Sequence, residues 1–150
     1  MPRSKSLVPL SHDHHHALKL AQMLRKDSPP LESIPESPVE KARRAAQFYE
    51  SDLVVHFNAE ENVLYPFVKR RDAHLDRLFN EILEEHRQIK KQVEALLEEG
   101  GNPIEEKLDT LGRLIDSHVR KEERELFPRI QEVFSEDELN KLSGKLRAVR

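Results

Sequence analysis

The chain has 150 residues, a net charge of −3, eight histidines and no cysteine, with hydrophobic residues at 37% and charged residues at 35%. Such a balance offers no basic surface for nucleic acid or an anionic membrane. Its apolar runs are a few residues long, too short to span a bilayer, and without cysteine there are no disulfides or thiolate ligands. MPRSKSLVPL at the start has no apolar signal core, and the lack of cysteine fits a reducing cytoplasm, the expected location. The length suits one domain, 1–150, with a large buried core.

Proline and glycine divide the chain into helical stretches. The first is expected over 10–26, with apolar or histidine positions at Leu10, His14, Ala17, Ala21 and Leu24. DSPPLESIPESP, 27–38, holds four of the nine prolines and reads as a loop. Pro38 suits the first turn of a second helix reaching about residue 70. That helix carries Ala42, Ala45, Tyr49, Leu53, His56 and Glu60 in steps of three and four. Asp72 caps a third helix to about residue 99, with Phe79, Ile82, His86, Ile89, Val93 and Leu96 on its stripe. GGNP at 100–103 ends it. A fourth helix, 104–133, carries Leu108, Leu111, Ile115, His118, Glu122 and Leu126. Ser135 with Glu138 forms a capping box for a short terminal helix, about 135–148. Four amphipathic helices with short links predict an all-α, antiparallel up-down four-helix bundle over about 7–133, with that extra C-terminal helix.

The polar residues sit on the inward stripes. HFNAEENVLYP at 56–66 is answered by HVRKEERELFP at 118–128, with His, Glu-Glu, Leu, an aromatic and Pro at the same spacing. Residues four apart share a helix face, about 6 Å apart along the axis. His56 with Glu60 and His118 with Glu122 therefore point the same way. His14 and His86 add one imidazole from each remaining helix, and Asp13-His14 answers Glu85-His86 across the two halves. Buried carboxylates and imidazoles without partners are costly, and a pair of divalent cations resolves that cost. Imidazole and carboxylate donors suit iron, manganese or zinc. At this level Glu61 and Glu123 stand as alternatives to Glu60 and Glu122, and His15 to His14. His74 reads as a surface residue. Pro66 and Pro128 either end or kink their helices, or tilt the helix ends around the pocket.

The order DHHHAL, H-x-x-x-E-E-x-x-L-Y-P, EEH and H-x-x-x-E-E-x-x-L-F-P resembles the hemerythrin-like family, or HHE cation-binding domain, over about 7–133. The resemblance implies a non-haem di-iron centre bridged by carboxylates and an oxo or hydroxo group. Its matching metal positions are His14, His56, Glu60, His86, His118 and Glu122; iron is implied ahead of zinc or manganese. The oxygen carriers of the family have a second histidine one turn after that of the third helix, where this chain has Lys90. They also place the last carboxylate five residues after its histidine, as Asp, where this chain has Glu at both the fourth and fifth places. An ammonium beside two dications is a poor ligand, so reversible oxygen transport is not expected. The function expected is binding or sensing of oxygen, nitric oxide or peroxide, or iron handling. A di-iron oxidase or peroxidase is the alternative, and a metal-stabilised interaction module using the terminal helix is a third reading.

Overall fold

A computed structural model describes residues 2–27 and 37–150. Five helices are present and no strand, among the described residues. α1 is Val8–Leu24. α2 runs 38–68 and α4 runs 104–133, each a continuous helix containing π turns. α3 is Ala73–Ala95 and α5 is Glu136–Arg147. The first four make the antiparallel bundle, and α5 packs on one end of it. None of these helices is long and apolar enough to cross a membrane.

Local chemistry explains most boundaries. Asp72 is extended and its carboxylate accepts from the Leu75 amide at 3.1 Å, opening α3. Ser135 accepts from the Glu138 amide while the Glu138 carboxylate accepts from the Ser135 amide, the expected capping box. α1 starts and ends two residues earlier than expected: Pro9 fits the first turn, and Arg25 is already extended. α3 is four residues shorter at its C-terminus. There Leu96 and Glu98 bond back only three residues, to Val93 and Ala95, before Gly100 and Gly101 turn the chain at φ 86° and 73°. The expected loop at 27–38 lies mostly outside the described residues.

The core has two apolar blocks. One gathers Leu7, Leu10, Leu64, Phe79, Ile82, Leu126, Phe127 and Ile130, and α5 adds Leu139, Leu142 and Leu146 to it. The other gathers Ala21, Leu24, Ala45, Leu53, Ile89, Leu111 and Ile115. Both are fed by all four bundle helices, and the stripe positions between them carry the polar residues. α1 and α4 approach closely at Gly112, where a Cβ would lie 2.8 Å from the Ala21 carbonyl oxygen.

Asp72 also fastens α3 to α4 through Arg129, at 2.8 and 3.0 Å. The Arg129 guanidinium, with the Leu75 amide, pulls the Asp72 carboxyl down to about 2 from 3.8. A depressed acid contributes stability that is present above its unfolded value and lost as pH falls through its folded value. Asp72→Asn should therefore melt below the parent at pH 7, and that gap should close between pH 4 and 2. Thermal melts of both chains across that range check it.

Candidate metal centre

Between the apolar blocks lies a layer of four imidazoles and two carboxylates. His14, His56, His86 and His118 are each at most 4% exposed, and Glu60 and Glu122 are fully buried. Every histidine turns Nε2 inward. His14 Nε2 lies 2.8 Å from Glu122 Oε1, and His86 Nε2 lies 3.1 Å from Glu60 Oε1. His118 Nε2 is 3.2 Å from Glu122 Oε2, and His56 Nε2 is 3.3 Å from Glu60 and 3.6 Å from Glu122. Two groups can each hold a metal ion: His14, His56, Glu60 and Glu122; and Glu60, His86, His118 and Glu122. Within each group the ligand atoms lie within 4.8 Å of one another. The two groups share both carboxylates, and each draws its histidines from one sequence half.

Glu60 and Glu122 occupy equivalent backbone positions. Each begins a π turn, where the amides of Tyr65 and Phe127 reach back five residues to the carbonyls of Glu60 and Glu122. Pro66 and Pro128 follow directly. A proline ring clashes with the carbonyl four residues earlier and offers no N–H, and a widened turn accommodates both defects. Neither proline ends its helix: α2 continues to Val68 and α4 to Val133. A third π turn, Tyr49–Leu53, has no proline after it.

Around the inner layer runs a second ring of carboxylates on the outward Nδ1 atoms. Asp13 of α1 takes His56 of α2 at 2.9 Å, and Glu61 of α2 takes His86 of α3 at 2.8 Å. Glu85 of α3 takes His118 of α4 at 2.7 Å, and Glu123 of α4 takes His14 of α1 at 3.1 Å. Each helix thus holds the imidazole of the next, and the ring closes. A carboxylate on Nδ1 fixes the tautomer that presents a lone pair at Nε2 and makes that nitrogen a better donor to a cation.

The imidazoles and carboxylates of the layer stabilise each other's charge. Burial works against charge on His118, yet Glu122 and Glu85 raise it to about 9. His14, His56 and His86 are also raised against their burial by the carboxylates beside them. Burial likewise opposes the Glu122 charge, but His118, His14 and His56 hold that carboxyl well below its ordinary value. Even so, His56 Nε2, His118 Nε2, Glu60 Oε2 and Glu122 Oε2 are buried with no hydrogen bond. His56 and His118 come close to carboxylate oxygens without the alignment a hydrogen bond needs. Unpartnered polar atoms of this kind, converging on one point, fit a bound divalent cation.

The remaining candidates lie outside this layer. His12, His15, His16 and His74 are exposed. Glu61 and Glu123, the alternatives to Glu60 and Glu122, belong to the outer ring, as do Asp13 and Glu85. Lys90 is exposed and lines a surface groove of about 320 Å³ that also reaches Glu61 and His86. Beside the layer a narrow cavity, with about 10 Å³ of room, is bounded by His14, His56 and His118 together with Ala17, Leu53 and Ile115.

The bundle core thus carries two overlapping His/Glu groups that could each hold a metal ion. The family model for the hemerythrin HHE cation binding domain matches residues 8–130. The chain belongs to that family. No curated protein gives a significant match.

Proposed function

We propose that the chain holds two iron ions, one in each four-residue group, and uses them to bind or sense a diatomic molecule, oxygen or nitric oxide. The observation that carries this is the sharing of Glu60 and Glu122 between two groups with two private histidines each. Iron bound there would supply ferrous–ferric redox chemistry and a coordination position for a small ligand. The chain's own residues do the rest. Asp13, Glu61, Glu85 and Glu123 orient the imidazoles, and the two apolar blocks keep bulk water from the layer.

The narrow cavity favours a diatomic ligand over an organic substrate. Its room of about 10 Å³ is roughly that of one water, and Phe48, Leu53, Ile89, Ile115 and Val119 wall it. An uncharged diatomic fits such a space, whereas an oxidase substrate of several heavy atoms does not. Filling it tests the reading. In chain reconstituted with ferrous iron without air, Ala17→Val should keep two irons and weaken nitric oxide binding at least ten-fold, read by visible spectra. Unchanged affinity would remove the cavity from the proposal. The exposed Lys90 leaves the third helix without a second imidazole, so the reduced parent should oxidise in air instead of returning oxygen under vacuum.

A further inference from the structure

The outer carboxylates are not equivalent. Arg150 pairs with Asp13 at 2.6 Å, Arg3 with Glu123 at 2.8 Å and Lys121 with Glu85 at 2.5 Å. Three corners of the ring are thus closed by a fixed positive charge. Among the described residues Glu61 has no ion pair with a Lys or Arg, and it is the most exposed of the four, at 43% against 31%, 27% and 19% for Asp13, Glu123 and Glu85. Glu61 and His86 both line the groove of about 320 Å³, whose rim holds Tyr49, Asn58, Arg87 and Lys90.

We infer that this groove is the portal through which divalent cations enter and leave the buried centre, with Glu61 as the carboxylate that passes them to His86. The inference rests on the proposed metal site and adds the route to it. A divalent cation arriving with its water needs a wet path and, at the end of it, a carboxylate not already tied up by a Lys or Arg. The groove has room for several waters. One oxygen of Glu61 holds His86 Nδ1, which makes the carboxylate the link between the groove and the buried imidazole. At the other three corners the carboxylate is already held by Arg150, Arg3 or Lys121 and is not free to draw in a cation. The narrow cavity cannot serve although Asp13 and Asp52 also line it, because it admits about one water and would strip the ion bare. Ions and uncharged diatomics therefore have separate entrances.

Two cations stand on the portal's rim, and they differ. Arg87 is neutralised by Glu84, at 2.7 and 2.9 Å. Lys90 makes no ion pair among the described residues; the charges of both Arg87 and Lys90 act on Glu61. Lys90, the groove-lining cation without a counter-ion among the described residues, attenuates the pull of Glu61 on cations, and salt should screen that effect.

The test uses the full metal-free chain and cobalt(II) alone, followed by its visible absorption in stopped flow. Glu61→Gln should slow association at least ten-fold while the final stoichiometry stays at two. Glu85→Gln changes a carboxylate in the same ring at a closed corner, so its effect should fall on dissociation, with association within two-fold of the parent. Lys90→Glu should speed association at low salt, and that gain should vanish at high salt. Equal association rates for Glu61→Gln and Glu85→Gln would overturn the portal and leave the metal site standing. A parent chain that binds no cobalt would overturn both. Far-UV circular dichroism of each variant separates a folding defect from a slow door.

Discussion

Glu60→Ala and Glu122→Ala should each empty the whole centre, not half of it. Both carboxylates belong to both four-residue groups, whereas each histidine belongs to one. His14→Ala or His86→Ala should therefore lower the metal content from two ions per chain towards one. The glutamate variants should bring it close to none at micromolar free metal. A helix carrying Glu60 or Glu122 also supplies a histidine to one group only, so the two kinds of substitution are not equivalent by position. The outer ring should behave differently again. Glu61→Gln and Glu123→Gln should retain two ions at saturation with affinity reduced about 10–100-fold, the usual effect of losing a carboxylate behind a metal-bound imidazole. His74→Ala should change nothing. Elemental analysis after reconstitution distinguishes these outcomes. If Glu60→Ala keeps one tightly held ion, the carboxylate is not shared and the proposed arrangement is wrong.

The inner layer was legible because helix geometry is local. Steps of three and four carried His14, His56, Glu60, His86, His118 and Glu122 along with the apolar stripes, and these six are the buried polar side chains that converge. Choosing His14 over His15 needed only the phase of α1, since His14 is buried and His15 exposed. The Asp72 cap and the Ser135–Glu138 box were likewise written within four residues. The outer ring was not legible for the opposite reason. Each of its contacts joins one helix to the next, so its meaning depends on how the helices are rotated and set in depth. In a chain with 28 acidic residues, Glu61 after Glu60 looks like surface charge or like a substitute for its neighbour. Both glutamates are used, on opposite nitrogens of one imidazole: Glu60 lies beside His86 Nε2, and Glu61 holds Nδ1 of the same ring. Asp13 and Glu85 could have been suspected from their repeated place just before a histidine. The π turns at Glu60 and Glu122 have a visible cause in Pro66 and Pro128. The one at Tyr49–Leu53 has no proline, and nothing in its sequence announces it.

Loading with metal should raise the melting temperature strongly, and by an amount that grows with pH. A ligand at a thousand-fold excess over its dissociation constant adds about 4 kcal/mol to stability, or roughly 8–16 °C per ion for a chain of this size. The pH dependence follows from the protons that the metal must displace. In the metal-free chain His118 is raised to about 9 from 6.5. Its contribution is fully present below about pH 6.5 and is lost as pH rises through 9. Glu122 is held well below 4.5, so its contribution is present above that value and is lost only as pH falls below it. Between pH 6.5 and 9 the carboxylate therefore stays ionised while the histidines give up their protons, and the metal-free fold weakens. A cation needs the Nε2 lone pairs, so its binding strengthens over the same interval. The gap between loaded and metal-free melting temperatures should consequently widen from pH 6.5 to 9. Calorimetric melts of cobalt-loaded and metal-free chain at several pH values measure it directly. Titration calorimetry at pH 7 should also show proton release on binding, as a heat that depends on the buffer's ionisation enthalpy. A gap that narrows with rising pH would mean that the inward-facing histidines are not the groups the metal displaces protons from.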